Sequence, residues 1–232
     1  MVFYAYVKQV TDNSTYRYVI IFASRAVADE WWRAVSTSTV SSFVNSVQRV
    51  NAQFYTHNVN LANAANSLTT NGVATQFLGK VFFTLLNDLG GRGSSIIPPL
   101  DHFADHISGN SFFIRSKVAP HDYWYFPKYN ATNAVYVSRT ERTRFTISRT
   151  DSGTAGTVII GSDKIAITLT TANLSINVDT VTGQVILSPA PQSGLTFSAL
   201  LGNFTVGPSL MKSGESVKEL LYTEHGEEWE LA

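Results

Sequence analysis

The stretch KIAITLTTANLSINVDTVTGQVILS, residues 164–188, decides the fold class predicted for the second half of the chain. Apolar and polar residues alternate within its three runs, KIAITLT, LSINVD and QVILS, and turn residues such as TVTG separate them. Alternation with a period of two is typical of β-strands that bury one face. Similar runs begin at about residue 112, and they include SFFIRS, YWYF, AVYVS and RFTIS. The sequence therefore predicts a β-rich barrel or sandwich in this half.

The N-terminal half shows a mixed pattern. Residues 2–7 and the run YRYVIIFAS predict a β-hairpin, and Ser24 is placed to cap a helix through ADEWWRAV. Apolar residues recur at helical spacing in residues 40–50 and again in residues 73–85, although KVFFTLL within the latter is equally compatible with a buried strand. These features predict a mixed α/β part.

The complete chain is thus predicted to have an α+β fold with three parts. Residues 1–95 form the mixed α/β part, and residues 100–208 form an all-β domain. The run GGRGSSIIPP, which is rich in Gly, Ser and Pro, separates them. Residues 209–232 are predicted to be a short helical acidic tail, because Ser216-x-x-Glu219 has the form of a capping box.

Composition limits the classes of function. The 17 basic and 17 acidic residues cancel, so no overall field favours nucleic acid, and none is expected as a partner. The chain has no cysteine, which excludes disulfides and thiolate chemistry. No signal-peptide pattern opens it and no apolar run reaches the roughly 20 residues that span a bilayer, so we predict a cytoplasmic protein without a membrane span. No motif indicates a cofactor, and none is expected.

A weak internal repeat accompanies the β-rich texture. Phe113–Ser116 matches Ile159–Ser162, and Val135–Ser138 matches Val185–Ser188, at offsets of 46 and 50 residues. Phe145-Thr146 likewise matches Phe197-Ser198 at an offset of 52 residues. With its hairpin strand FFIRS, the aromatic strand YWYF and the VYVS…RFTI pairing, the region 112–206 resembles part of a β-trefoil, as in ricin-B-type lectins and related fungal lectins and protease inhibitors. The resemblance implies a barrel that binds carbohydrate or a protein partner.

The aromatic stretch HDYWYFPKYN, residues 121–130, is the best candidate for a ligand site. Tyrosine and tryptophan rings offer flat apolar faces to the C–H faces of sugars, and flanking carboxylate and amide groups can bond the sugar hydroxyls. A strand would direct the rings alternately to two faces, so the alternative is that they are core residues. The predicted ligand-binding residues are Asp122, Tyr123, Trp124, Tyr125 and Asn130.

Two further clusters are candidate sites. In DHFADH, the side chains of His102, Asp105 and His106 would approach one another on a helix, and such a set suits zinc. The competing interpretation is a surface helix whose charges match the helix dipole. Arg142 and Arg144 should lie on the solvent face of a strand, where they predict an anion-binding site or simply a solvated strand face.

The function that these patterns favour is that of a non-enzymatic, lectin-like carbohydrate-binding protein. One alternative is a protein-binding module such as a protease inhibitor, which would act through the loops of the β domain. Another is a metal-dependent enzyme that uses the His102/Asp105/His106 cluster. No catalytic motif in the sequence favours the enzyme over the binding protein.

Overall fold

A computed structural model of the chain describes residues 1–12, 15–86, 103–127, 132–151, 156–212 and 214–232. The chain divides into two compact units, Met1–Asp105 and His106–Ala232. Most of the regular structure is β-sheet, and the three α-helices among the described residues are short. The predicted α+β fold is therefore wrong. The interval between the predicted parts, residues 96–99, lies outside the described residues.

The first unit consists of one sheet with two helices. Its elements are β1 (Phe3–Gln9), β2 (Tyr18–Phe22), α1 (Arg25–Ser36), α2 (Ser41–Ser46), β3 (Gln48–Asn51), β4 (Phe54–His57) and β5 (Val81–Leu85). The strand order is β3-β4-β1-β2-β5, with β1 and β4 parallel and the other neighbours antiparallel. The predicted hairpin is confirmed as β1 and β2, and the predicted helix as α1. Ser24 caps this helix, since its side chain accepts a hydrogen bond from the Val27 N–H at 3.2 Å.

The apolar stripe of α1 packs against one face of this sheet. Trp31 and Val35 are completely buried, and the Trp31 ring lies 5.5 Å from the rings of both Phe22 and Tyr55. Burial of rings of this size contributes much of the free energy that holds a helix on a sheet.

Two other predicted helices of this unit are mostly absent. The helical spacing in residues 40–50 produces only the short α2, because β3 follows from Gln48. In residues 73–85, a single turn of 3₁₀ helix at Thr75–Phe77 precedes strand β5. The strand alternative for KVFFTLL is therefore the correct one, and pairing with β2 along the whole of β5 explains why the strand prevails.

The second unit is a curled sheet. Its elements are β6 (Ser111–Ser116), β7 (Tyr123–Tyr125), β8 (Tyr136–Ser138), β9 (Arg144–Arg149), β10 (Ile165–Leu169), β11 (Leu174–Val178), β12 (Val185–Ser188), α3 (Phe197–Gly202), β13 (Phe204–Lys212), β14 (Glu215–Tyr222) and β15 (Trp229–Leu231). The strand order is β12-β11-β10-β9-β6-β7-β8-β14-β13, and β15 pairs with β6. The β-rich part of the prediction is thus found.

Hydrogen bonds show how far the sheet curls. Strand β12 stands at one end of the strand order, yet the Val185 carbonyl accepts from the Val135 N–H at 2.8 Å. The Leu187 N–H likewise donates to the Asn133 carbonyl at 2.7 Å. Because residues 133–135 lead directly into β8, the sheet bends back on itself as a half-barrel.

Aromatic side chains fill the interior of this half-barrel. The Trp124 ring centroid lies 4.8 Å from that of Phe204, 5.9 Å from that of Trp229 and 6.0 Å from that of Phe145. Trp229 Nε1 donates to the Phe204 carbonyl at 2.9 Å. The chain passes so close to Phe204 at Gly226 that a Cβ there would lie 2.3 Å from the Phe204 carbonyl oxygen. Glycine is therefore required at position 226 for β15 to reach its place beside β6.

The predicted helical tail is also wrong, because Glu215–Tyr222 forms strand β14. Its apolar residues have helical spacing because the strand meets apolar groups on both faces. Val217 is completely buried in a small cluster with Ala134 and Tyr136. Leu220, three residues later, is completely buried and pairs across the sheet with Val206 of β13. Burial on both faces removes the period-two pattern that would have identified the strand.

The runs that suggested a repeat form unlike elements in two of three cases. Val135–Ser138 and Val185–Ser188 both contribute to strands, β8 and β12. In contrast, Phe113–Ser116 lies in β6, whereas Ile159–Ser162 belongs to no strand or helix. Phe145 lies in β9, whereas its counterpart Phe197 begins α3. The resemblance to β-trefoil proteins stays a prediction.

Candidate functional site

Strand β7 separates the residues that the sequence predicted as one ligand site. Trp124 is completely buried in the interior, so it is a core residue and is not available to a ligand. Tyr123 and Tyr125 are partly exposed on the opposite face of the strand. Asn130 lies outside the described residues. The predicted platform of adjacent rings therefore does not form.

Tyr125 contributes to the small apolar cluster on its own face of the sheet. It packs against Ala134, Tyr136 and Val217. Burial raises the pKa of the Tyr125 hydroxyl, and the carboxylates of Glu215 and Glu141 raise it further. The ring is thus partly used for packing.

Asp122 lies in a cleft on the other face. The cleft has a volume of about 380 Å³. We name it the Asp122 cleft, and its lining residues are Asp122, Val137, Arg139, Thr140, Glu215, Ser216 and Lys218. Val137 pairs with Trp124 across the sheet and with Lys218 on its other side, so the cleft opens on the face that carries Trp124 and not on the face that carries the tyrosines.

Two cations hold the Asp122 carboxylate in place. Lys218 Nζ donates to Oδ2 at 2.8 Å, and Arg139 Nε donates to Oδ1 at 3.2 Å. Burial acts to raise the pKa of Asp122, but the hydrogen bonds from Lys218 and Arg139 outweigh it and hold the pKa below its ordinary value. The carboxylate is therefore ionised at neutral pH and is oriented before any ligand binds.

Hydrogen bonds from backbone N–H groups, mostly to serine side chains, fix the walls of the cleft. The Asp122 N–H donates to Ser116 Oγ at 2.8 Å, and the Ser116 N–H donates to the Asp122 carbonyl at 2.8 Å. On the opposite wall, Ser138 Oγ accepts from the backbone N–H groups of Thr140 and Glu141 at 3.2 and 3.1 Å. This turn orients Arg139 and Thr140, so the cleft is built largely from pre-positioned groups.

Sequence reasoning identified Asp122 but missed most of the cleft. Glu215, Ser216 and Lys218 were assigned to a helical tail, so their approach to β8 was not expected. That approach depends on the pairing of β14 with β8, in which Lys218 lies opposite Val137. These residues are about 80 positions apart in sequence, and no local pattern reports such a pairing.

The outward face of β6, β7 and β9 carries a second feature, the arginine–aromatic cluster, which consists of Phe113, Tyr123, Arg142 and Arg144. The Arg144 guanidinium lies 4.4 Å from the Phe113 ring centroid. The Arg142 guanidinium lies 4.7 Å from the same ring and 5.7 Å from that of Tyr123. Both arginines are exposed, as predicted for the solvent face of a strand.

The charges of this cluster lack acidic partners among the described residues. Neighbouring Arg115 pairs with Glu230 at 2.6 Å, and Lys117 pairs with Glu228 at 2.9 Å. No described carboxylate lies within ion-pair distance of Arg142 or Arg144. The face therefore presents two uncompensated positive charges.

The described residues of the predicted metal site, Asp105 and His106, lie in different surroundings. The Asp105 carboxylate accepts from Arg49 Nη2 at 2.6 Å. Residues 103–106 are not helical, so the helical face on which the prediction depended does not form there. His102 lies outside the described residues, and the His106 ring packs edge-on against Phe197 at 5.2 Å. Within the described ranges, no group of three or more His, Asp or Glu side chains is arranged to hold a metal ion.

A buried charge network explains the role of Asp105. Arg49 donates to Asp105 and also to Asp29 Oδ1 at 2.8 Å, and its side chain is only 4% exposed. Arg25 Nε donates to Asp29 Oδ2 at 2.9 Å. Arg49 Nη1 donates to the Tyr55 hydroxyl at 3.3 Å, and burial raises the pKa of that hydroxyl well above its ordinary range. The network pairs Asp105 with buried charges of the first unit, so among the described residues this carboxylate has a structural role.

Comparison with known proteins gives no family assignment. No family model matches the chain, and no curated protein matches it. In the part of the chain that the structure describes, no helix has the length and apolar character needed to cross a membrane. The Asp122 cleft and the arginine–aromatic cluster of the second unit are the candidate binding features among the described residues.

Proposed function

We propose that the protein is a non-enzymatic, lectin-like carbohydrate-binding protein, and that a sugar binds in the Asp122 cleft. The observation that carries the proposal is the combination of an ionised carboxylate, two cations and two hydroxyl groups around one concavity. Sugars present many hydroxyl groups, each of which both donates and accepts hydrogen bonds. The cleft offers acceptors in Asp122 and Glu215 and donors in Arg139 and Lys218.

The size and exposure of the cleft fit a small polar ligand. Its volume of about 380 Å³ lies in the range of roughly 300–1,000 Å³ that is usual for ligand pockets. Arg139 and Lys218 are 59% and 36% exposed, so each keeps hydrogen-bonding capacity toward solvent while it contacts Asp122. A sugar that displaces solvent from the cleft would form hydrogen bonds with side chains that Asp122 already holds in place, which lowers the entropy cost of binding.

A glycan array with the wild-type protein and two variants tests the proposal. Asp122→Asn keeps the shape of the side chain but removes its charge, and Lys218→Met removes the donor at 2.8 Å. We expect each variant to lose at least about tenfold in affinity for any neutral glycan that the wild type binds, which corresponds to about 1.4 kcal/mol. Glu224→Gln, which removes an exposed carboxylate outside the cleft, should bind like the wild type.

Circular dichroism would show that the variants are folded before their binding is compared. An absence of glycan binding by folded wild-type protein at high concentration would end the proposal. Equal binding by the wild type and both cleft variants would show that the sugar binds elsewhere.

A further inference from the structure

The outward face of the half-barrel carries a second pattern beside the arginine–aromatic cluster. One hydroxyl side chain from each of five neighbouring strands falls at the same level of the sheet. The register pairs Ser111 with Thr146, Thr146 with Thr168, Thr168 with Ser175, and Ser175 with Ser188. Residues paired in this way point to the same face. We call this set the hydroxyl row.

The row is a polar track in which two of the four neighbouring pairs are hydrogen-bonded. Ser111 Oγ and Thr146 Oγ1 are 2.9 Å apart, and Thr168 Oγ1 and Ser175 Oγ are 3.2 Å apart. Four strand spacings of about 4.8 Å give it a length of about 19 Å. All members except Ser175 are partly exposed. A hydroxyl group that bonds one neighbour still has capacity for a further hydrogen bond.

The hydroxyl row and the arginine–aromatic cluster adjoin each other. Phe113 pairs with Arg144 two residues along the same strands from the pair of Ser111 and Thr146. Arg144 also donates to the Ser111 carbonyl at 3.1 Å, which fixes its guanidinium above this junction. One face therefore presents two uncompensated guanidinium groups at the end of a track of hydroxyl groups.

We propose that this face binds an acidic polysaccharide, whose sulfate or carboxylate groups are held by Arg142 and Arg144 and whose hydroxyl groups lie along the hydroxyl row. Planar guanidinium groups bind oxyanions through paired N–H donors. Contacts with the Phe113 and Tyr123 rings hold the two guanidinium groups. Among the described residues, Arg144 uses only its Nη1 group in a hydrogen bond, to the Ser111 carbonyl. This ligand differs from that of the Asp122 cleft, which lies on the other face and requires no anion.

Direct binding measurements with four probes test the inference: dextran sulfate, polygalacturonate, neutral dextran and poly-L-glutamate. We expect binding of dextran sulfate or polygalacturonate that weakens as salt rises, since the contact involves exposed charges. The two acidic polymers distinguish sulfate from carboxylate as the preferred group. Neutral dextran should bind at least about tenfold more weakly than the preferred polymer.

Three double variants identify the residues. Arg142→Gln with Arg144→Gln should reduce affinity for the preferred polysaccharide at least about tenfold. The control Lys80→Gln with Lys212→Gln removes the same charge elsewhere and should change affinity less than about twofold. Arg142→Lys with Arg144→Lys keeps the charge but loses the planar donors, so an intermediate loss of affinity is expected.

Variants of the hydroxyl row separate a polysaccharide from an acidic protein. Thr146→Val with Thr168→Val keeps branched side chains that suit a strand and removes two hydroxyl groups. It should weaken polysaccharide binding severalfold and leave any binding of poly-L-glutamate unchanged. If poly-L-glutamate binds as tightly as the acidic polysaccharides and the row variant changes nothing, the partner is an acidic protein and the inference is wrong.

Two other results would also overturn the inference. One is that the wild type binds neither acidic polysaccharide. The other is that the glutamine variant binds as well as the wild type. Binding of acidic polysaccharide can be tested separately from sugar binding in the Asp122 cleft, because Asp122→Asn should bind acidic polysaccharide as the wild type does. If the wild type binds acidic polysaccharide but no neutral glycan, only the proposal of a sugar in the Asp122 cleft is wrong.

Discussion

Two buried tryptophans, one in each unit, allow a matched test of what a hydrogen bond to a buried indole N–H contributes to stability. Trp31 and Trp124 are both completely buried. Trp31 Nε1 donates to Ser67 Oγ at 3.0 Å, whereas Trp124 Nε1 has no acceptor among the described residues. Replacement by phenylalanine removes the same atoms at both positions. The difference in the free energy of unfolding between the two variants should therefore report mainly the hydrogen bond.

The expected cost of each substitution in free energy of unfolding depends on whether the indole N–H has a hydrogen-bond partner. In Trp31→Phe, the buried Ser67 hydroxyl oxygen loses the indole N–H that donates to it, which costs about 1–3 kcal/mol in addition to the cavity. In Trp124→Phe, the substitution removes an N–H group that was already unpaired, so part of the cavity cost is offset. We expect Trp31→Phe to lower the free energy of unfolding by about 2 kcal/mol more than Trp124→Phe.

Urea unfolding followed by circular dichroism measures each free energy, and hydrogen exchange assigns it to the unit that carries the substitution. The double variant Trp31→Phe with Ser67→Ala should recover part of the loss, since it removes the unpaired hydroxyl. Trp124→Ala should cost about 3–5 kcal/mol, as expected for a core residue. Equal costs for the two phenylalanine variants, or a larger cost at Trp124, would show that the Trp31–Ser67 hydrogen bond does not stabilise the first unit.

Three further predictions concern buried ionisable side chains. Arg49→Met should destabilise the first unit by about 3–5 kcal/mol in urea unfolding, because Asp29 would keep a buried charge without this partner, whereas Lys80→Met should change stability little. Burial lowers the pKa of His57 below its ordinary value of 6.5, so stability should fall as pH drops below about 6.5, and His57→Gln should lose this dependence, which pH-dependent melting would show. The pKa of Asp122 is lowered, so its contribution is present above the unfolded value and is lost as pH falls through the folded value. Asp122→Asn should therefore flatten the acid limb of the melting curve.

The sequence predicted elements well where one face of a strand or helix is buried. The hairpin β1–β2, the cap at Ser24 and most strands of the second unit fall in this class, because a local period reports a single buried face. Strand β14 was mistaken for a helix because Ser216-x-x-Glu219 has the form of a capping box. Burial of Val217 and Leu220 on opposite faces of the strand left no period-two pattern to oppose that prediction. Strand β5 was ambiguous because its apolar run has no clear alternation, and its pairing with β2 decides its state.

The candidate site was predictable only in part, for a related reason. Asp122 stood out beside aromatic residues, and Arg142 and Arg144 stood out from their alternation along a strand. Lys218 and the hydroxyl row did not, because both depend on pairings between strands that are distant in sequence. Serine and threonine are also so frequent in this chain that their alignment at one level of the sheet has no signature before the register is known.

Strand geometry makes the two proposed sites independent. Asp122 and Tyr123 are adjacent in sequence, but the cleft opens on the face that carries Trp124, while the tyrosine ring lies with Arg142 on the other face. A ligand in contact with both Asp122 and Tyr123 would have to pass around strand β7, because the buried indole of Trp124 occupies the interior side of that strand. Substitutions at one site should therefore weaken the ligand of that site and leave the affinity for the ligand of the other site unchanged. Coupling between them would mean that one ligand engages both faces, which this arrangement of the strand does not allow.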